Sequence, residues 1–252
     1  MPRFFVSPEE IDLEAGTARI TGDDAHHIAR SLRMAEGDGI VLCDGQGRDY
    51  QCTLARIRDD RVDCAVLSSA PSLTEPPYRA VLYQALVKGE LFEVAVQKSV
   101  EYGACAIVPF ESSRCVVKSR EGGSENKLTR LRRIAAEAAK QSGRGIIPEV
   151  AEGMTFDRML AEAARADLPL FCYEEEDRCR LGTLLEELSA RVGEGRPSVS
   201  VVVGPEGGFS PEEAEKARAA GLCCVSLGPR ILRTESAAPF VLAALSAFCE
   251  LR

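Results

Sequence analysis

The sequence has no run of eighteen consecutive apolar residues, so it lacks the feature that defines a transmembrane helix. Its opening residues, MPRFFVSPEE, also lack the apolar stretch and the small-residue cleavage site of a secretory signal peptide. We therefore expect a cytoplasmic protein. Its 252 residues, 45% hydrophobic and 28% charged, are enough for one large domain or two ordinary ones with a buried core.

Recognisable metal-binding patterns are missing as well. None of the ten cysteines forms a CxxC pair, and the adjacent His26 and His27 are the only histidines. Most of the cysteines lie among Val, Leu and Ala, as in VLCDG and LCCVSL, and free cysteine in such surroundings is a small buried hydrophobe. We predict reduced thiols in the core and no metal site.

The segment Pro71–Pro77, PSLTEPP, is the best candidate for a domain boundary, because its prolines and polar residues interrupt any periodic pattern. Before it, short apolar segments alternate with turn signals, which predicts a small β-barrel-like domain over residues 1–72. One helix over Asp24–Leu32 interrupts the strands, which we place at Phe4–Val6, Thr17–Ile20, Gly39–Cys43, Asp49–Ile57 and Arg61–Ser68.

Residues 73–252 show strands alternating with helices, the pattern of an α/β domain with a mainly parallel sheet. Ser210 is a good N-cap for the helix that starts with Pro211. The strands fit Arg79–Val87, Ala106–Phe110, Leu170–Tyr173, Ser198–Val203 and Cys223–Leu227. The helices fit Glu90–Tyr102, Ser124–Ser142, Phe156–Arg165, Leu181–Val192, Pro211–Ala220 and Ser236–Leu251.

Two glycine-containing loops follow the last two of these strands. Ser198–Gly208, SVSVVVGPEGG, runs from a buried strand into a loop with three glycines. Leu227–Ala237, LGPRILRTESA, begins with a Gly-Pro pair and carries Arg230, Arg233 and Glu235. Ligands of open α/β sheets bind at the carboxyl ends of the strands. The two loops therefore predict a binding cleft.

The first loop, GPEGGFS, does not match the common phosphate-binding motifs. It lacks the GK[ST] ending of a P-loop, and it follows a late strand, whereas a Rossmann loop follows the first strand of its unit. Glu206 in its middle would also repel a phosphate. S-adenosylmethionine suits the loop better, because glycines let backbone groups approach an adenosine and a carboxylate tolerates a sulfonium cation. The alternative is a tight turn between a strand and a helix.

The charge is unevenly distributed along the chain. The net charge of −8 argues against a general affinity for nucleic acids, but residues 114–144 hold nine basic and three acidic side chains. A local positive patch of this kind can meet phosphates. The alternative, which composition alone favours, is a solvated helix face.

Seven blocks, spread over nearly the whole length, carry a family resemblance. They are MPRFFV at 1–6, HHIARSLRMAEGD at 26–38, KGELFEVAVQKSVEYG at 88–103, VPFESSRCVVK at 108–118, EAAKQSGR at 137–144, GPEGGFS at 204–210 and LGPRILRTESA at 227–237. In this order they resemble the 16S ribosomal RNA uridine-N3 methyltransferases of the trefoil-knotted (SPOUT) superfamily.

The resemblance implies an N-terminal PUA-like, RNA-binding barrel and a C-terminal methyltransferase domain whose last segment threads a loop to form a knot. It also implies a homodimer that uses S-adenosylmethionine and acts on 16S RNA or on the small ribosomal subunit. The methyl donor would lie against Val202, Gly204, Pro205, Glu206, Gly207, Leu227, Gly228 and Leu232. The RNA would contact Arg3, His26, Arg30 and Arg33 in the first domain and Arg114, Lys118, Arg120 and Arg144 in the second.

Methylation at uracil N3 requires the loss of a proton, which gives an anion. We hypothesise that Arg233 stabilises the uracil oxygens of this anion, while Glu206 or Glu235 accepts the proton. Alternatively, Glu235 only caps the last helix. The chain departs from the family pattern at Ser113, where a glutamate is usual next to Arg114.

Two other functions stay open. The chain would be an RNA-binding assembly protein if it kept the fold without the activity. It would be a knotted methyltransferase of a different kind if it acted on transfer RNA or on ribose 2′-oxygens. The intact GPEGG and LGPRILRTES loops favour an enzyme.

Overall fold

A computed structural model describes residues 1–117, 124–176, 179–193 and 195–251 of the chain. The predicted RNA contacts Lys118 and Arg120 lie outside these described residues. The chain divides into two compact units: an N-terminal unit of Met1–Glu75 with Ala139–Ile147, and a C-terminal unit of Pro76–Ala138 with Pro148–Arg252. Within the described ranges, no helix combines the length and the apolar character needed to span a bilayer.

The N-terminal unit is built on a curled six-stranded sheet with the strand order β1-β4-β5-β6-β3-β2. All its pairs are antiparallel except β1 with β4, and two register shifts bend the long β5–β6 pair. The five predicted strands are confirmed, whereas β2 is too short to show a pattern. The strands are β1 Arg3–Phe5, β2 Ile11–Asp12, β3 Thr17–Thr21, β4 Gly39–Cys43, β5 Arg48–Ile57 and β6 Arg61–Pro71.

The helix predicted over Asp24–Leu32 changes type partway along. An α-helix, α1, spans Gly22–His26 and continues as a π-helical turn, His27–Ser31. In that turn the Leu32 N–H donates to the His27 carbonyl at 2.9 Å. Such wide turns are often found at functional sites. The predicted RNA contacts in or beside this turn are His26, Arg30 and Arg33.

The C-terminal unit has a parallel seven-stranded sheet in the order β10-β8-β7-β12-β11-β13, with β9 paired to β8. The strands are β7 Arg79–Ala85, β8 Ala104–Glu111, β9 Glu149–Val150, β10 Met154–Thr155, β11 Leu168–Cys172, β12 Ser198–Val203 and β13 Cys223–Val225. The helices are α2 Leu91–Glu101, α3 Ser124–Gln141, α4 Phe156–Ala163, α5 Leu181–Arg191, α6 Pro211–Ala219 and α7 Thr234–Cys249. The predicted α/β class, its five strands and its six helices are confirmed, and the two-residue β9 and β10 are additional.

An aromatic cluster holds the segment after β12 against the sheet. β12 lies between β7 and β11, and every residue in it after Ser198 is buried. Beyond its end, the ring of Phe209 packs on Phe171 of β11 with the ring centroids 4.1 Å apart. The centroids of Phe110 and Phe156 each lie 6.3 Å from that of Phe209. Each such pair adds about 0.5–1.5 kcal/mol to the effect of burial alone, so the cluster fixes this segment firmly.

The starts of α6 and α7 are stabilised in different ways. Ser210 caps α6 as predicted, and it forms a capping box with Glu213. The Glu213 N–H donates to Ser210 Oγ at 3.2 Å, and the Ser210 N–H donates to the Glu213 carboxylate at 3.0 Å. α7 begins at Thr234, earlier than the predicted Ser236, and its N-cap residue Arg233 makes no side-chain capping bond. The Thr234 side chain is buried instead.

All ten cysteines are thiols rather than disulfides. Burial raises the pKa of the Cys64 thiol to about 12, so that it stays protonated at neutral pH. The prediction of reduced core thiols is confirmed for the buried half of the set, and the other five are half-buried. The buried ones are Cys43, Cys52, Cys64, Cys115 and Cys224.

A buried ion pair attaches residues 139–147 to the rest of the N-terminal unit. Arg144 donates from Nε and Nη2 to the Glu75 carboxylate at 3.1 and 2.6 Å, and both side chains are at most 7% exposed. The N–H groups of Gly145 and Ile146 donate to the same carboxylate at 2.9 and 3.2 Å. Burial alone would raise the pKa of Glu75, but Arg144 and these N–H donors outweigh it and hold that pKa below its ordinary value.

Replacing Glu75 with Gln is expected to destabilise the fold, because the charge of Arg144 would stay buried without its counter-ion. We expect a loss of about 3 kcal/mol in the free energy of unfolding, measured by urea denaturation at pH 7. Because the folded pKa of Glu75 is lowered, its contribution is complete above the unfolded value of about 4.3 and is lost as the pH falls through the folded value. The difference between wild type and Glu75→Gln should therefore shrink below about pH 4. An equal loss in the exposed control Glu14→Gln would contradict this assignment.

Candidate active site

A cavity of about 570 Å³ lies in the C-terminal unit at the carboxyl ends of β11, β12 and β13. The volume is in the range of ligand pockets, and this edge of a parallel sheet is where such folds bind ligands. Two segments form most of its lining, which we call the glycine wall (residues 203–209) and the arginine wall (residues 226–235). They are the two loops predicted from the sequence to form a cleft.

The glycine wall is tightly packed where its glycines stand. A Cβ atom on Gly204 would lie 3.1 Å from the ring of Phe209. Gly208 has a φ of +65°, and a Cβ atom there would lie 3.0 Å from Oε1 of Glu174. A side chain at position 208 would strain the backbone, and one at position 204 would force the ring of Phe209 to shift. Glycine at both positions leaves the backbone as the surface that a ligand meets.

The arginine wall begins with a turn and has a charged rim. The Gly228 N–H donates to Ser226 Oγ at 3.3 Å, which forms the turn after β13. Leu232 and Glu235 are half-buried. The exposed residues of this wall include Arg230, Ile231 and Arg233. The cavity therefore has positive charge at its mouth.

A chain of hydrogen bonds joins the two walls to the sheet. The Thr234 hydroxyl donates to the Gly204 carbonyl at 2.6 Å, and Nε2 of Gln84 on β7 donates to Thr234 Oγ1 at 2.9 Å. Gln84 is 1% exposed and Thr234 is 7% exposed. Neither is among the site residues predicted from the sequence. The available signal for Gln84 is a polar residue near the end of the otherwise apolar strand RAVLYQA.

Both predicted proton acceptors line the cavity. Glu206 is exposed, and its Oε1 accepts a hydrogen bond of 3.0 Å from the Lys88 N–H, in the segment between β7 and α2. Glu235 is half-buried in the first turn of α7, where the positive end of the helix favours a carboxylate. Glu235 is not the N-cap residue, because Arg233 occupies that position.

Arg114 contacts the glycine wall from its other side. Its Nη1 donates to the Gly207 carbonyl at 3.0 Å. The two preceding residues are held by Glu213, whose carboxylate accepts from Ser112 Oγ at 3.0 Å and from the Ser113 N–H at 2.8 Å. Ser113 is the residue at which the chain departs from the family pattern, and its backbone N–H thus binds a buried carboxylate of α6. Glu213 thus has a second role besides the capping box, and no local sequence pattern predicts that role.

Six of the eight residues predicted to meet the methyl donor line the cavity, and the other two, Val202 and Gly207, do not. Val202 is fully buried in the core beneath the glycine wall, and the next residue, Val203, takes the lining position. Because successive strand residues point to opposite faces, the side chain of Val203 reaches the cavity and that of Val202 does not. Gly207 is also outside the lining, with its carbonyl bound by Arg114. The six that line the cavity are Gly204, Pro205, Glu206, Leu227, Gly228 and Leu232.

Two of the predicted RNA contacts have structural roles. Arg144, a predicted RNA contact, is 3% exposed and its guanidinium is bound to Glu75, which leaves it little surface to offer a phosphate. Arg3 lies 2.5 Å from the Asp49 carboxylate and is 18% exposed. The sequence shows arginine in both places but not the partner that holds it.

Other predicted RNA contacts are exposed. His26, Arg30 and Arg33 have exposed side chains in the N-terminal unit, and Arg30 pairs with Asp59 at 2.8 Å. Arg33 has a φ of +49°, so its backbone is left-handed. Arg114 is exposed in the C-terminal unit while it binds the glycine wall. These four therefore keep the accessibility that a phosphate contact needs.

The basic residues of α3 are largely balanced by neighbouring carboxylates. These contacts offset much of the positive charge that the sequence concentrates in residues 114–144. Exposed ion pairs of this kind contribute little to stability, but they favour the alternative of a solvated helix face for this helix. The pairs are Arg130 with Glu93, Arg133 with Glu137 and Lys140 with Asp24.

The cavity combines apolar surface with charges of both signs. Leu91, Leu227 and Leu232 contribute apolar surface. Carboxylates come from Glu174, Glu206 and Glu235. A ligand with an apolar body, hydrogen-bonding edges and a positive charge matches this lining, and S-adenosylmethionine has these properties. Among the residues that the structure describes, no group of three or more His, Cys, Asp or Glu is arranged to hold a metal ion.

Comparison with protein families identifies both parts of the chain. A family described as "RNA methyltransferase domain" matches residues 74–246. A second, described as "RNA methyltransferase PUA domain", matches residues 20–67. The first match covers every residue that lines the cavity, and the second lies within the N-terminal unit.

Individual relatives match over nearly the full length. The chain is 35% identical to the ribosomal RNA small subunit methyltransferase E of Bacillus subtilis over 254 residues, which cover 100% of this chain and 98% of the relative. It is 33% identical to that of Mycobacterium tuberculosis, covering 90% and 85%. The crystal structure of the Neisseria gonorrhoeae protein of the same name, bound to S-adenosyl methionine, superposes with a TM-score of 0.80 at 29% identity, covering 98% of this chain and 97% of that one. The chain therefore belongs to the ribosomal RNA small subunit methyltransferase E family.

Proposed function

We propose that this protein transfers a methyl group from S-adenosylmethionine to N3 of a specific uridine in 16S ribosomal RNA. The observation that carries the proposal is the cavity between the glycine wall and the arginine wall, in a chain of this family. The names of its relatives support small-subunit ribosomal RNA as the substrate. The choice of uridine N3 rests on the motif resemblance.

The donor would be held between the two walls. Backbone groups of Gly204, Pro205 and Gly228 would meet its polar edges, and Leu227 and Leu232 would pack on its apolar body. S-adenosylmethionine supplies a methyl group that is already activated by the sulfonium. The protein's contribution is then alignment of the nucleophile with that group, which does not require a covalent intermediate.

The proton on uracil N3 must leave before or during the attack. Arg233, exposed at the mouth of the cavity, would stabilise the negative charge that develops on the uracil oxygens. Glu206 and Glu235 both line the cavity and are the candidate acceptors. Glu235 is the better supported of the two, because Glu206 already accepts the Lys88 N–H.

RNA would be bound by both units. The contacts that we retain are His26, Arg30 and Arg33 in the N-terminal unit and Arg114 in the C-terminal unit, together with Lys118 and Arg120. Phosphate contacts position an RNA without naming its sequence. The choice of the target uridine would therefore depend on how its base fits into the cavity.

Three further features of the family resemblance belong to this proposal. The arginine wall would be the segment that threads the knot, and its bond from Thr234 to Gly204 supports a close passage. A homodimer would use α2 and α7, on which the large apolar side chains of Val94 and Phe240 are 40% and 41% exposed. A ribosomal substrate also supports the expected cytoplasmic location, and we retain a two-domain division near residue 72.

The target is tested with small ribosomal subunits, free 16S RNA and transfer RNA from a strain that lacks the protein. The purified protein and labelled S-adenosylmethionine are added, and the modified nucleoside is mapped by mass spectrometry. We expect 3-methyluridine at one position. A methyl group on transfer RNA or on a ribose oxygen, or no transfer by protein that binds the donor, would contradict the proposal and favour one of the alternatives.

Placing a cation in the cavity is expected to weaken donor binding. Leu227→Arg puts a bulky positive charge into the lining against which the cationic donor would pack, and we expect affinity for S-adenosylmethionine to fall at least about tenfold in calorimetric titration. Leu73→Arg is the matched control, because Leu73 is 97% exposed in the N-terminal unit. Equal affinities for the two variants would place the donor elsewhere.

Removing the guanidinium at position 233 is expected to slow the chemical step. Arg233→Ala should lower the turnover rate at saturating donor by about 100-fold while donor affinity changes little. The exposed Arg165→Ala, beyond the end of α4, is the control. A near-normal rate for Arg233→Ala would remove this residue from the mechanism.

A further inference from the structure

Gln84 is a buried polar residue whose hydrogen-bonding capacity is only partly used. It is 1% exposed on β7, in register with Val203 of β12 and Pro109 of β8. Its Nε2 donates to Thr234 Oγ1 at 2.9 Å and to the Ala85 carbonyl at 3.3 Å. Its Oε1 is buried with no hydrogen-bond partner in the described part of the chain. A leucine would fill this place without an unsatisfied acceptor, so stability alone does not explain the amide.

The single proton of the Thr234 hydroxyl explains why the Gln84 amide has this orientation. Thr234 gives that proton to the Gly204 carbonyl at 2.6 Å. Its oxygen can therefore only accept from Gln84, which must present its NH2 group to Thr234. Oε1 of Gln84 is then turned away from the hydroxyl. The unsatisfied oxygen is a consequence of supporting Thr234.

We propose that Gln84 is a positioning residue that acts through Thr234 and sets the separation of the glycine wall from the arginine wall. Gly204 follows directly on β12, and Thr234 lies where the arginine wall becomes α7. Gln84, on the neighbouring strand β7, keeps the Thr234 hydroxyl aimed at the Gly204 carbonyl. The walls are thereby held at one spacing before a ligand enters. The inference rests on the proposed function, because it concerns how the methyl donor is accommodated.

The first test compares donor affinity with thermal stability. Gln84→Leu removes the amide at nearly constant volume, and we expect its affinity for S-adenosylmethionine, measured by calorimetric titration, to fall about tenfold. Its melting temperature should equal or exceed that of wild type, because the unsatisfied acceptor is gone. Affinity that matches wild type in the folded variant would overturn the proposal. A lower melting temperature with a parallel loss of binding would also overturn it, since that result indicates a structural role.

The second test asks whether Gln84 acts through Thr234. Thr234→Val should weaken donor binding, and Thr234→Ser, which keeps the hydroxyl, should restore it to within about threefold of wild type. The double variant Gln84→Leu/Thr234→Val should bind no more weakly than Thr234→Val alone, because the amide has no hydroxyl left to support. Losses that simply add would contradict the proposed connection.

A matched control is available in the same unit. Ser99 on α2 is also fully buried, and its Oγ has no hydrogen-bond partner among the described residues. Ser99→Ala should leave donor affinity unchanged, which separates the effect of Gln84 from that of removing any buried polar group. Failure of the proposed function has a different signature: wild type itself would not bind S-adenosylmethionine. Failure of this inference leaves wild-type binding intact.

Discussion

The hydrogen bond from the Thr234 hydroxyl to the Gly204 carbonyl is the contact on which the cavity depends. It joins the start of the last helix to the end of a central strand, two segments that are remote in sequence. On the opposite side, Phe209 anchors the glycine wall to the sheet through Phe171. The glycine wall is thus held both by a polar contact and by an aromatic one.

The local distribution of charge in this protein differs from what its net charge alone suggests. The chain carries a net charge of −8, yet its family acts on RNA. Pairing with carboxylates neutralises many basic residues, most completely at Arg144. The arginines at the cavity mouth, Arg230 and Arg233, are exposed beside a lining that also carries glutamates. Such an arrangement favours binding of one base and its phosphates over general attraction to nucleic acid.

Local sequence patterns predicted the elements, and long-range contacts decided the details of the site. The bounds of Ser198–Val203 follow from its apolar run, and the start of α6 follows from its Ser-Pro signal. α7 starts earlier than predicted because Thr234 finds a partner thirty residues away, which no local pattern encodes. Local patterns do not predict the burial of Arg144 for the same reason, because its carboxylate partner lies far along the chain. In the sequence, the only sign of Gln84's role is that it is a polar residue in an otherwise apolar strand.

The attachment of residues 139–147 to the N-terminal unit has a consequence for how the chain folds during its synthesis. Glu75 emerges from the ribosome long before Arg144, its buried partner. At roughly 5–20 residues per second, the N-terminal unit waits about 4–14 seconds for its last segment. During that interval the carboxylate of Glu75 lacks the donors that bind it in the finished fold. The N-terminal unit therefore cannot be completed until part of the C-terminal unit has been synthesised, and a fragment ending at residue 75 would stop the protein at this same unfinished stage.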